Sequence, residues 1–166
     1  MSNELRRWIT LCEMAALPPD VLDAAANHMR QMAVATGGLP DNIPDFRVKF
    51  VQWSKDQIAA VFHNLSKLFE RGDTLMVWRE IIAPEDWEPT EERHLGIYWT
   101  WDRDVAHAYQ GNSREGVAWL LSAEVTFDQI DWVSTLSQNA TPAYAPEKEI
   151  RINPNSRVSF ATCERI

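Results

Sequence analysis

Apolar positions recur at helical spacing through the first 72 residues of the chain and at alternating spacing after them. Leu5, Trp8, Ile9 and Cys12 fall at i, i+3, i+4 and i+7, the stripe of an amphipathic helix. Pro18-Pro19-Asp20 breaks that pattern and opens a second helix, with Leu22, Ala26, Met29 and Ala33 as its apolar stripe and Gly37-Gly38 as its stop. Residues 39–53 read as a loop or extended segment, with Pro40, Asp41, Pro44 and Asp45 as turn formers. Ser54-Lys55-Asp56-Gln57 has the form of a capping box, in which serine and glutamine satisfy the free amides of a first helical turn. Ile58, Val61, Phe62, Leu65 and Phe69 then make one apolar face, and Gly72 supplies a left-handed stop.

Beyond Gly72 the pattern predicts strands. Residues 74–82 are rich in β formers and end at Ala83-Pro84; residues 84–92 form an acidic surface loop. Residues 95–101 predict a second strand and residues 102–109 a short helix, with Val105, Ala106 and Tyr109 pointing inward. The apolar run at 117–127 predicts a strand buried on both faces. A short strand is expected at 130–133, then a polar loop over 134–146 containing Ser137, Gln138, Asn139, Thr141 and Pro142. Strands at 147–152 and 157–162, joined through Asn153-Pro154-Asn155-Ser156, close the pattern. No repeat, low-complexity tract or linker divides the chain. The expectation is one α+β domain over residues 1–166, helical through 72 and β-rich from 73.

Composition narrows the classes of function. The 166 residues are 45% hydrophobic and 24% charged, enough to build a core. Eight tryptophans point first to an aromatic-rich core and second to a cleft for flat ligands. Acidic residues outnumber basic ones 24 to 16, a net charge of −8, which argues against nucleic-acid binding through bulk charge. Two cysteines, Cys12 and Cys163, build no disulfide framework. The opening Met-Ser-Asn-Glu-Leu-Arg-Arg-Trp lacks a signal-peptide core and no apolar run reaches bilayer length, so a cytoplasmic protein without membrane contact is expected. His28, His63, His94 and His107 fall at no ligand spacing, so no metal is expected. No glycine-rich phosphate loop and no G-x-S-x-G elbow occurs.

What remains is an ordered set: Arg79 within one strand, Thr100 on the next, then Glu147 and Glu149. Taken singly, each is ordinary. A strand arginine is usually ion-paired at the surface, and E-x-E on a strand is usually a solvated face. On an ideal strand Glu147, Glu149 and Arg151 share one face, which lets two carboxylates divide binding and basic roles.

In this order the residues resemble the arginine-type (R-S-E) ADP-ribosyltransferases, the family of cholera-like and actin-modifying toxins and their cellular and phage relatives. Val77-Trp78-Arg79-Glu80 corresponds to the family's arginine strand. Gly96-Ile97-Tyr98-Trp99-Thr100-Trp101-Asp102, followed by Ala106 and Tyr109, fits the frame of its Ser-Thr-Ser strand. Glu147 through Phe160 matches its E-x-E, Pro-containing turn and final strand. The likeness covers residues 74–161. It departs at the triplet: Trp99 and Trp101 replace the serines and only the central threonine, Thr100, is kept. A tryptophan there either stacks on a ring or marks an altered, inactive site.

The resemblance implies N-terminal helices followed by a split, mixed β-sheet around an NAD cleft. It implies an NAD+-dependent transferase in which Glu149 serves the ribose, Glu147 activates the acceptor and Arg79 holds the diphosphate or ribose. Tyr98, Trp99 and Thr100 would complete the NAD+ site, and Tyr144, on the turn before the E-x-E, would meet the macromolecular target. E-x-E is associated in the family with arginine acceptors on proteins. A degenerate module that binds a partner protein, and an enzyme acting on nucleic acid, are the alternatives.

Overall fold

The computed structural model describes residues 19–37, 44–69, 74–88, 95–108 and 115–166. The expected helix around Leu5 to Cys12, and the roles given to Gly38, Gly72, His94 and Tyr109, lie outside the described residues. Among those residues there are four helices, α1 (Pro19–Ala35), α2 (Pro44–Ser66), α3 (Arg103–Ala108) and α4 (Trp132–Ala140). There are five strands, β1 (Thr74–Ala83), β2 (Tyr98–Thr100), β3 (Val117–Thr126), β4 (Glu149–Arg151) and β5 (Phe160–Arg165). The chain gathers into two compact units, one from Met1–Asp73 and Trp132–Pro146, the other from Thr74–Asp131 and Glu147–Ile166.

In the helical unit, α1 opens on Pro19, whose fixed φ suits the first helical position, and carries Asp20 in its first turn. Ala25, Ala26 and Met29 form its buried stripe. Helix α2 begins at Pro44, ten residues before the expected cap at Ser54. Pro44 and Asp45 are the reason: read as turn formers, they are equally good helix starters, and no breaker follows them. Ser54 therefore lies inside the helix, fully buried, with its hydroxyl unpaired. Ile58, Phe62 and Leu65 of α2, and Phe69 of the short 3-10 turn after it, form the buried face as expected. Trp132 of α4 meets Phe62 edge-on at 5.4 Å.

Helix α4 corrects the polar loop expected over residues 134–146 and the strand expected at 130–133, of which only the Ile130–Ile152 bridge forms. Several polar side chains in and just after it donate to nearby backbone carbonyls. Asn139 Nδ2 donates to the Thr135 carbonyl at 2.8 Å, Thr141 Oγ1 to the Ser137 carbonyl at 2.8 Å, and Ser137 Oγ to the Ser134 carbonyl at 3.1 Å. A hydrogen bond of 2.7 Å also joins Ser137 Oγ to His28 Nδ1 of α1.

The second unit is one five-stranded sheet in the order β4-β2-β1-β3-β5. All its pairings are antiparallel, which corrects the mixed sheet implied by the resemblance. β1 and β3 pair along their full length, from Thr74↔Thr126 to Ala83↔Val117. Leu120, Leu121, Ser122 and Ala123 are all buried, as a strand covered on both faces requires. β2 keeps only Tyr98–Thr100 of its expected run, and β5 lies three residues later than its pattern suggested. No helix among the described residues is long and apolar enough to cross a membrane.

Candidate functional site

β1 and β2 share a single ladder pair, Trp78↔Thr100, and β2 then pairs with β4 at Thr100↔Glu149. Residues directly opposite in a ladder point the same way, so Trp78, Thr100 and Glu149 form a row on one face of the sheet. By alternation Arg79, Trp99 and Ile150 start from the other face, yet Arg79 and Trp99 line the same cavity as Thr100 and Glu149. Where the β1–β2 ladder stops, the Arg79 guanidinium takes over: its Nη1 donates to the Tyr98 carbonyl at 2.8 Å. A cavity of about 380 Å³ lies in this unit, walled by β1, β2, α3 and the E-x-E segment.

Gly96 makes room for that arginine. It sits at φ +84°, and a Cβ built on it would lie 2.3 Å from Arg79 Nη1. Burial lowers the Arg79 pKa from its usual value, while the nearby Glu149 carboxylate and Tyr98 act in the opposite direction. Arg79 Nε is buried without a hydrogen-bond partner. The neighbouring Trp99 is only 2% exposed, and its indole N–H donates to the Gly96 carbonyl at 3.1 Å. Thr100 is also buried, and its Oγ1 accepts the Asp102 amide at 3.2 Å. The exposed ring at the cavity is instead Tyr98, 49% accessible, with the Arg151 guanidinium 5.3 Å from its centroid.

Glu147 and Glu149 both line the cavity, but they do so from different local structures. Glu149 opens β4, whereas Glu147 ends a 3-10 turn, Ala145–Glu147. Between them Lys148 has φ +48°, which interrupts strand alternation and corrects the expectation of Glu147 and Glu149 as neighbours on one strand face. Burial raises the Glu149 pKa above the usual carboxylate value, and the Glu147 charge adds to this; Arg151 and Arg79 pull it back.

Residues outside the expected catalytic and NAD+-binding set also line or flank the cavity. Glu80 follows Arg79 and alternates to the Trp78 face, adding a third carboxylate to the cavity, with Oε2 buried and unpaired. Val105 and Ala106 of α3 form an apolar wall. Asp102 caps α3, its Oδ1 accepting the Asp104 amide at 2.9 Å and the Val105 amide at 3.3 Å, while Oδ2 holds Lys148 Nζ at 2.5 Å. An aspartate just ahead of a short helix was a readable cap signal; its second partner was not readable, being 46 residues away.

Tyr144 belongs to the helical unit. It is half-buried in the turn after α4, its amide donating to the Thr141 carbonyl at 3.0 Å. Among the described residues no group of three or more His, Cys, Asp or Glu side chains could hold a metal ion. No family model, no curated protein and no solved structure matches the chain.

Proposed function

We propose that the chain is an NAD+-dependent mono-ADP-ribosyltransferase, cleaving the nicotinamide–ribose bond and transferring ADP-ribose to a macromolecular acceptor, a protein arginine first among the candidates. The observation that carries this reading is that Arg79 lines one cavity with Glu147 and Glu149, which are distant from it in sequence. Breaking the N-glycosidic bond sends its electron pair out with neutral nicotinamide and leaves positive charge on the ribose. Glu149, ionised, stabilises that charge; half-burial strengthens the interaction because less water screens it. Glu147, exposed at the cavity, accepts a proton from the acceptor as the new bond to ribose C1′ forms.

Arg79 contributes the guanidinium donors that the Tyr98 carbonyl leaves over, suited to a phosphate or ribose oxygen. Tyr98, rather than the buried Trp99, offers the stacking face. A volume of about 380 Å³ lies toward the small end for ligand sites. It suits the nicotinamide ribose half of NAD+, with the adenosine half extending beyond it.

The test is labelled NAD+ with a cell lysate, comparing wild type with Glu149→Gln and Glu147→Gln. Glu149→Gln is expected to lower both hydrolysis and transfer about 100-fold or more. Glu147→Gln is expected to lose transfer while NAD+ hydrolysis largely persists. Protease or nuclease sensitivity of the labelled product separates a protein acceptor from a nucleic-acid one. Equal labelling by wild type and Glu149→Gln rejects the assignment.

A second reading, a module that binds a partner and catalyses nothing, draws on the engagement of both Arg79 and Trp99 within the fold. Calorimetry with NAD+ separates the two: absence of binding favours the module.

A further inference from the structure

The segment joining the two glutamates is held by an element that the proposed reaction does not itself use. Lys148 stands between Glu147 and Glu149, close enough in sequence for its ammonium to reach either. Its ion pair is instead with Asp102, at 2.5 Å. The backbone repeats the connection, since the Trp101 amide donates to the Lys148 carbonyl at 3.3 Å. Asp102 is itself fixed by the amides of Asp104 and Val105 at the start of α3, the helix whose Val105 and Ala106 wall the cavity. Lys148 adopts φ +48° in this arrangement, a conformation that costs a non-glycine residue about 1 kcal/mol or more and persists where surrounding contacts enforce it.

We propose that the Asp102–Lys148 ion pair is the positioning device of the glutamate pair: it fixes the kink that brings Glu147 and Glu149 into one cavity and keeps the Lys148 ammonium off both carboxylates. The proposal deepens the transferase reading and rests on it for the catalytic consequence, though not for the electrostatic one. Glu147 from the preceding turn, Arg151 from β4 and Arg79 from β1 act on Glu149, and Glu80 of β1 lines the same cavity. Tyr98 of β2 lies against Arg79 and Arg151. The lysine hydrogen bond, followed by the two helix amides, holds the Asp102 carboxyl below the usual range against the opposing effect of burial. The Asp102 carboxyl therefore ionises before that of Glu149 as pH rises.

The variant that isolates the ion pair is Asp102→Asn, because asparagine caps a helix as well as aspartate does but carries no charge. Released, the Lys148 ammonium turns to the glutamates. In ¹³C-carboxyl NMR, with the Glu149 signal assigned by its loss in Glu149→Gln, the Glu149 midpoint is expected to fall by about half a pH unit or more in Asp102→Asn. The double variant Asp102→Asn/Lys148→Gln has no ammonium to release, and its midpoint is expected to return toward that of wild type. A midpoint unchanged in Asp102→Asn, or one that stays low in the double variant, overturns the proposal whether or not the protein consumes NAD+. In NAD+ hydrolysis, kcat for Asp102→Asn is expected to fall about tenfold with the acid limb of its pH profile moved down, since displaced catalytic groups lower kcat. A wild-type protein that consumes no NAD+, combined with the expected NMR shifts, rejects the transferase reading alone.

Discussion

Glu149 concentrates the physical cost of the site in one side chain. Its pKa is raised in the folded protein, so between the ordinary carboxylate value and the raised one the native state binds more protons than the unfolded chain. The contribution of Glu149 to stability then falls as pH rises through that window, because the unfolded state ionises first. Glu149→Gln removes the slope. The variant is expected to melt about 1–2 °C higher than wild type near neutral pH and to show no gain below the ordinary carboxylate range. Thermal unfolding across pH checks this, and an equal gain at every pH would point to packing rather than ionisation. Gly96 is the other residue whose chemistry is narrowly set. Any Cβ there meets the far end of a flexible arginine, so the guanidinium yields before the backbone does. Gly96→Ala is expected to cost about 1–2 kcal/mol from its positive φ. Under the proposed function it is also expected to weaken NAD+ binding at least as much as Arg79→Lys, which calorimetry reads directly.

At the scale of elements, the decisive difference between pattern and structure is where α2 begins. Had Ser54 been an N-cap, replacing it by alanine would remove a hydrogen bond to the first turn and cost about 1 kcal/mol. Inside the helix its hydroxyl is buried and unpaired, and alanine is both a better helix former and free of that unmet group. Ser54→Ala is therefore expected to stabilise the protein by about 0.5–1 kcal/mol in urea unfolding. The two placements predict opposite signs. Helix α4 makes the same point from its polar side. Ser, Thr and Asn on a short segment read as loop residues because they bond to nearby backbone; in α4 they bond to the helix's own carbonyls and can be buried. β2 is shorter than its pattern predicts, and at its end the turn is clear. Trp101 continues the β-forming pattern past Thr100, but the backbone there turns toward the Asp102 cap of α3.

For the molecule as a whole, the sequence by itself determined the α+β class, the change from helical to alternating pattern near residue 73, and the long β1 and β3 strands. These follow from hydrophobic periodicity, a local property that each segment carries wherever it packs. The sequence also singled out Arg79, Thr100, Glu147 and Glu149, because order along a chain can be compared without a structure. Only the tertiary structure decided which groups meet. The single Trp78↔Thr100 pair, the Arg79 bond to Tyr98, the burial of Trp99, the entry of Glu80 and the Asp102–Lys148 pair join segments with no local signal for one another. It also moved Glu147 off the strand. Alternation presumes an unbroken β backbone, and one left-handed residue, Lys148, held by a partner 46 positions away, is enough to interrupt it.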